Sequence, residues 1–195
     1  MPEIIYRAVP ADELPINENE VARRLGTERG YTDEMIESCR RELLKVITPK
    51  FSYTISDAVY SDDNVIDLGY VKIKSETLNK NLQHSPVVYT FAATVGHGVD
   101  RLLMRLSKIS QAKYFVTDAL ASAYAEALAD YANNYIKQGK NCRPRFSPGF
   151  GDVPLSFQKD ILGAVNAQKL LGITLTESFL MSPMKSVTAF IGEQK

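Results

Sequence analysis

The sequence has few of the residues that build metal sites or disulfide frameworks. It contains two cysteines, Cys39 and Cys142, and two histidines, His84 and His97, in 195 residues. Two thiols are too few for a disulfide scaffold or a four-ligand zinc site. The histidines lie 13 positions apart and have no partners at metal-ligand spacing. We therefore expect no metal site in this chain, and a buried structural thiol at Cys39, which falls on the apolar side of a predicted helix.

Net charge and long apolar runs are also missing. Lys plus Arg and Asp plus Glu number 23 each, and no strongly basic run stands out. Nucleic acids and anionic membranes bind through a clustered positive field, so we expect neither as a partner. No apolar run approaches the roughly 20 residues that span a bilayer, and the acidic N-terminus lacks a signal-peptide pattern. The expectation is a cytoplasmic protein whose residues 1–195 form a single domain.

Periodic patterns predict an α+β fold, with a mostly antiparallel sheet and packed helices. The continuous apolar run 87–95 is typical of a central strand buried on both faces. The other strands of this sheet are predicted as two or three strands within 51–73 and near Thr176 and Ser186. Residues 4–9 are predicted as a short strand or as an arm that packs against the body. Helices are predicted at 21–25, from Thr32 to Pro49, at 75–82, at 99–106 and at 110–137, with a further amphipathic run at 157–171.

The most informative segment is 143–151, which reads Arg-Pro-Arg-Phe-Ser-Pro-Gly-Phe-Gly. An arginine fork matches a carboxylate bidentately. Pro148 fixes φ, and Gly149 lets the backbone approach a ligand, so the segment indicates a site for a small anionic or zwitterionic molecule. The structural alternative is a loop between two helices in which Arg145 binds helix C-terminal carbonyls. For Cys142 we favour a plain loop thiol; the alternative is a thiol whose pKa the nearby Arg143 and Arg145 lower.

The predicted helix 110–137 carries a polar stripe. Its members are spaced four apart and therefore share one face of the helix. They are Asp118, Ser122, Glu126 and Asp130. A solvated face of an amphipathic helix would explain such a stripe without any function.

The order of residues in this half of the chain resembles the activation domain of cobalamin-dependent methionine synthase. That family has an S-adenosylmethionine (AdoMet) motif, Arg-x-x-x-Gly-Tyr, and residues 145–150 read Arg-Phe-Ser-Pro-Gly-Phe. The resemblance continues through Gly-Ile-Thr-Leu-Thr-Glu-Ser-Phe at 172–179 and covers 87–191. Residues 119–129, Ala-Leu-Ala-Ser-Ala-Tyr-Ala-Glu-Ala-Leu-Ala, match the family helix whose glutamate contacts the amino group of AdoMet. That glutamate corresponds to Glu126.

The resemblance implies an AdoMet site in which Arg145 binds the α-carboxylate and Glu126 the α-ammonium. The backbone of Ser147, Gly149 and Phe150 would face the adenine edge. In that family, AdoMet methylates reduced cobalamin on a different module, after a flavodoxin-type donor supplies an electron. The implied role is an accessory in methionine biosynthesis that reactivates a cobalamin-dependent methionine synthase or a related corrinoid methyltransferase. It would contribute no catalytic residue, and cobalamin would stay on the partner, because the cobalt-binding Asp-x-His-x-x-Gly motif is absent.

Departures from the family pattern leave two alternatives open. The tyrosine of the motif is Phe150, and the family's Asp-Trp-Thr-Pro element and its Tyr-Tyr segment after the Ser-Val strand are not found in the sequence. The first alternative is a module that docks on a corrinoid protein without AdoMet. The second is a stand-alone methyltransferase for another small substrate, although no Gly-rich nucleotide loop and no acid–base pair are visible.

Overall fold

The computed structural model describes residues 3–26 and 31–194. Helices and strands are both well represented in it, as the periodic patterns predict. The strands are β1 (Ile4–Ala8), β2 (Lys50–Asp57), β3 (Val59–Ser61), β4 (Val65–Asp67), β5 (Lys72–Lys74), β6 (Val87–Thr94), β7 (Thr174–Leu175), β8 (Met181–Ser182) and β9 (Ser186–Glu193). The helices are α1 (Glu18–Leu25), α2 (Asp33–Leu44), α3 (Glu76–Leu82), α4 (His97–Ile109), α5 (Gln111–Lys137), α6 (Gln158–Ala164) and α7 (Ala167–Leu171).

The main sheet has four antiparallel strands in the order β1-β2-β6-β9. Strand β6 is central and buried over nearly its whole length, which confirms the prediction from its continuous apolar run. Successive side chains of a strand point to opposite faces of a sheet. Phe91 and Ala93 accordingly enter the core cluster that contains α2, α4 and α5, while Val88 packs with residues of α3 and α6. Helices therefore cover both faces of the sheet.

Local capping signals place the helix starts as predicted. The side chains of Asn17, Thr32, Ser75 and Ser110 each accept a backbone N–H from the first turn of the helix that follows. These bonds satisfy donors that have no partner inside the helix. Helix α2 ends at Leu44, short of Pro49, because the chain leaves the helix there and the Thr48 N–H donates to the Val95 carbonyl at 2.9 Å on the way into β2.

Two strand predictions were wrong in their placement. Within 51–73 only β2 joins the main sheet, while β3, β4 and β5 form a separate three-stranded sheet. Strands β4 and β5 each bury one residue, Ile66 and Ile73, in the core cluster that also contains residues of α3, and β3 buries none. The strand near Thr176 is also outside the main sheet, since β7 pairs only with β8 in a two-stranded hairpin. None of the described helices is long and apolar enough to cross a membrane.

Candidate functional site

The segment that follows α5 runs along the open edge of β9. Phe146 and Phe190 exchange both backbone hydrogen bonds, with N···O distances of 2.9 and 2.8 Å, and the Arg143 N–H donates to the Gly192 carbonyl at 2.8 Å. Phe146 packs into the core cluster on the α3 and α6 side of the sheet. The neighbouring Arg145 side chain therefore lies on the other side, over α5.

Arg145 forms ion pairs with two carboxylates of α5. Its Nη2 donates to Glu126 Oε2 at 3.1 Å, and its Nη1 donates to Asp130 Oδ1. The side chain of Arg145 is half-buried, and both carboxylates are partly exposed. This geometry confirms that the middle of α5 lies beside the turn after residue 145. The alternative in which Arg145 binds helix C-terminal carbonyls is wrong, because two of its N–H groups donate to carboxylates.

The rest of the polar stripe on α5 is paired in the same way. Lys185, just before β9, places its Nζ 2.8 Å from Asp118 Oδ1 and 2.9 Å from Ser122 Oγ. The stripe is thus partly exposed, and two cations from other segments bind it. Sequence reasoning did not select Lys185. The only sequence signal for this residue is that it is the single basic residue within 181–186, which read Met-Ser-Pro-Met-Lys-Ser.

A cleft of about 480 Å³ opens beside the pair of Arg145 and Glu126. Ion-pairing groups, neutral polar side chains and apolar walls all contribute to it. Its lining is formed by Glu126, Arg145, Phe146, Ser147, Pro148, Phe150, Gln158, Met181, Ser186, Val187 and Thr188. Four of the five residues that sequence reasoning selected are among them. The fifth, Gly149, is not.

Gly149 shapes the turn instead of facing the cleft. Its φ is 90°, a conformation that favours glycine. Its N–H donates to the Val153 carbonyl at 2.8 Å and is therefore committed within the loop. A Cβ at this position would lie 3.2 Å from Leu155 Cδ1. Since its N–H is committed within the turn, the expected contact between the Gly149 backbone and a ligand edge stays a prediction.

Sequence reasoning also missed Gln158 and Met181 as residues of the cleft. Met181 belongs to β8, whose position depends on the hairpin with β7. Gln158 is the first residue of α6 and is buried, although glutamine is seldom found in that environment. The sequence signal for the burial of Gln158 was its position. It lies three residues before the fully buried Ile161, on the helix face where an apolar residue is expected.

Asp152 fastens the turn to the N-terminus of α3. The hydroxyls of Ser75 and Thr77 both donate to Asp152 Oδ1, and the backbone N–H of Glu76 donates to Oδ2 at 2.8 Å. The preceding Gly151 makes this approach possible, since a Cβ there would lie 2.4 Å from Thr77 Oγ1. These donors, the Ser75 and Thr77 hydroxyls first, hold the pKa of the Asp152 carboxyl well below its usual value.

The structure tests the interpretation of each of the two cysteine thiols. Cys39 is buried, as expected. The alternative for Cys142, a pKa lowered by neighbouring arginines, is wrong, because burial raises the pKa of this thiol and the Glu193 carboxylate adds to the rise. Arg143 points away, since its Nε donates to the Asn81 carbonyl at 2.9 Å.

The acid sensitivity of the turn follows from Asp152. Because the folded pKa lies below the ordinary value of 3.8, the ionised carboxylate stabilises the fold above about pH 4, and this contribution is lost as the pH falls further. We expect Asp152→Asn to be less stable than wild type at neutral pH and to lose less of its unfolding free energy between about pH 5 and pH 2. Denaturant unfolding at several pH values measures both, with the exposed turn variant Asp62→Asn as the control. Parallel acid profiles for wild type and Asp152→Asn would contradict this role.

Comparison with known proteins places the fold. No protein-family model matches the chain, and no curated protein matches it in sequence. Among solved structures, the MetH reactivation domain bound to AdoHcy (S-adenosylhomocysteine) superposes with a TM-score of 0.68 at 16% identity. The match covers 98% of this chain and 78% of that chain. The protein therefore has the fold of the MetH reactivation domain, with mixed helices and antiparallel sheet.

Proposed function

We propose that this protein positions AdoMet for the reductive reactivation of a cobalamin-dependent methionine synthase or a related corrinoid methyltransferase. The observation that carries the proposal is the pair formed by Arg145 and Glu126 at the wall of one cleft. A fixed cation beside a fixed anion is what an α-amino acid group requires. The fold is shared with a reactivation domain that binds AdoHcy, which supports the choice of ligand.

The ion pair suggests how the amino acid end of AdoMet is bound. Arg145 contacts Glu126 and Asp130 through different nitrogens. A ligand carboxylate that binds Nη2 of Arg145 would displace the Glu126 carboxylate. Glu126 would then accept hydrogen bonds from the ligand ammonium. Each charge keeps a partner through this exchange, so no unpaired charge is left in the half-buried site. Asp130 can remain on Nη1 and hold the guanidinium in place.

The other walls of the cleft suit a nucleoside. Pro148 and Val187 provide apolar surface, and the Phe150 ring is 68% exposed at the turn. Ser147 adds a hydroxyl and a backbone edge, and Gly149 keeps the turn in its conformation through the bond to Val153. We propose Arg145, Glu126, Ser147 and Phe150 as ligand-contacting residues, with Gly149 acting through the shape of the turn.

The protein's part in the reaction would be binding and orientation. AdoMet supplies a methyl group that the reduced cobalamin of a partner module accepts, and a flavodoxin-type protein would supply the electron. Among the described residues, no base is hydrogen-bonded to the Ser147 hydroxyl to activate it as a nucleophile, so the chain would act by proximity. We propose that residues 1–195 work as one unit, because the first and last strands belong to the same sheet. We also propose the cytoplasm as its location.

A second candidate function is docking on a corrinoid protein without AdoMet. The observation in its favour is that Arg145 already binds two carboxylates within the chain. A cation with its charge balanced needs no ligand to be stable.

The first test removes the cation. Arg145→Ala should lower AdoMet affinity by roughly 10- to 150-fold, since a charge-assisted contact is worth about 1.5 to 3 kcal/mol. Arg143→Ala is the control, because Arg143 bonds to the Asn81 carbonyl and does not line the cleft. Isothermal titration measures both, and thermal unfolding checks that each variant folds. Equal losses of affinity would indicate general charge attraction and not a binding site.

The second test distinguishes the two carboxylates that bind Arg145. Glu126→Gln should weaken AdoHcy binding by roughly 10-fold or more, because the ligand ammonium loses its charged partner. Asp130→Asn should leave the affinity nearly unchanged, because the ligand displaces Glu126 and not Asp130, and the amide oxygen of asparagine still accepts the hydrogen bond from Nη1. The two variants are matched, since each replaces one carboxylate of α5 by its amide. Using AdoHcy avoids the sulfonium charge. Equal weakening would contradict the exchange of partners.

The third test addresses activity. The purified chain should transfer no methyl group by itself, and it should raise the reactivation rate of an oxidised corrinoid partner only when AdoMet and a reductant are present. The readout is the return of the methylated cobalamin spectrum. Reactivation that needs the chain but not AdoMet would support the docking module. Rapid turnover of AdoMet with a simple nucleophile and no corrinoid would contradict both accessory roles.

A further inference from the structure

The side-chain oxygen of Gln158, Oε1, is buried and lacks a hydrogen-bond partner among the described residues. The residue is 7% exposed, lies at the start of α6 and lines the cleft. Among residues 3–26 and 31–194, no donor lies within hydrogen-bond distance of its Oε1. Buried acceptors in folded proteins are nearly always satisfied, and an orphan acceptor destabilises the fold unless water or a ligand supplies the donor. Gln158 lines the cleft although Oε1 itself is screened from solvent, so a ligand donor would satisfy this oxygen once the side chain turns towards the cleft.

Gln158 and Glu126 enter the cleft from opposite sides of the sheet. Helix α5 packs on the face that carries Phe91, and α6 packs on the face that carries Phe190. The cleft lies beyond β9, at the edge that joins the two layers. A ligand that fills it would thus extend from the charged end on α5 towards the uncharged amide on α6.

The groups of AdoMet can be assigned to these two ends by their chemistry. Arg145 and Glu126 match the carboxylate and ammonium of the amino acid end. The remaining donors of the ligand are the ribose hydroxyls and the 6-amino group of adenine. A glutamine amide places one acceptor and one donor in a plane, and this arrangement pairs with the 6-amino group and an adjacent ring nitrogen of adenine.

We propose that Gln158 is a specificity-determining residue that reads the adenine base, with Oε1 accepting from the 6-amino group and Nε2 donating to a ring nitrogen. This inference rests on the proposed function, since it assigns a second end to the same ligand. It also explains why a polar residue occupies a position of α6 that otherwise suits an apolar one.

The test combines two ligands with two proteins. The ligands are AdoHcy and its purine analogue, in which hydrogen replaces the 6-amino group. Wild type should bind AdoHcy roughly 5- to 150-fold more tightly than the analogue, the range expected for a bidentate base contact. In Gln158→Met, which keeps the side-chain length without the amide, AdoHcy should weaken and the preference should fall towards one. Lys159→Met, at the exposed neighbouring position, is the control and should keep the preference.

Stability separates this role from a structural one. Removing an orphan acceptor should leave the melting temperature of Gln158→Met unchanged or raise it. A lower melting temperature with equal weakening of both ligands would overturn the proposal and assign Gln158 a structural role. A wild type that binds both ligands equally would overturn it without any variant. The 2′-deoxy form of AdoHcy tests a contact with the ribose. If wild type binds this form more weakly than AdoHcy, and Gln158→Met abolishes the difference but keeps the base preference, the contact is with the ribose and the base assignment is overturned.

The proposed function can fail separately. If wild type binds no AdoHcy at all, the AdoMet site is excluded and the inference on Gln158 fails with it. If wild type binds AdoHcy and Gln158→Met keeps the full preference for the adenine base, only the inference on Gln158 fails.

Discussion

The backbone pairing between the segment after α5 and the open edge of β9 determines where every other part of the cleft lies. Phe146 and Phe190 bond in both directions, and Phe146 is buried on one side of the sheet. Since neighbouring side chains of an extended segment alternate, Arg145 must then lie on the α5 side. The Asp152 contact with α3 fixes the far end of the same turn. The cleft is therefore built from a segment held at both ends.

The electrostatics of α5 follow from this placement. Its polar stripe receives Lys185 at one end and Arg145 at the other. Both cations come from segments that flank β9, so the sheet edge and the helix are joined by charge pairs around the cleft. A zwitterionic ligand can enter such a site by exchanging partners, whereas a simple anion would leave a carboxylate of α5 without its cation. This difference favours an amino acid group over an inorganic anion.

How much could be predicted from the sequence depends on whether the relevant partner was near in the chain. The central strand β6, the cap at Ser75 and the long helix α5 follow from local patterns, and the structure confirms them. Strands β3 to β5, and β7 with β8, pair with near neighbours in the chain and form small sheets of their own. Local alternation predicts such strands but does not reveal which sheet they join. Lys185 reaches a stripe 63 residues away in sequence. Gln158 becomes a cleft residue only once α6 packs against the sheet.

The central claim is that the cleft binds the amino acid group of an AdoMet-type ligand by exchange at the Arg145 ion pair. The most direct measurement is a crystal structure of the protein with AdoHcy. The account predicts the ligand carboxylate on Arg145, the ligand ammonium on Glu126, and the direct contact between these two side chains opened from its 3.1 Å. A complex with this ion pair intact, and with AdoHcy bound elsewhere or not at all, would contradict the account.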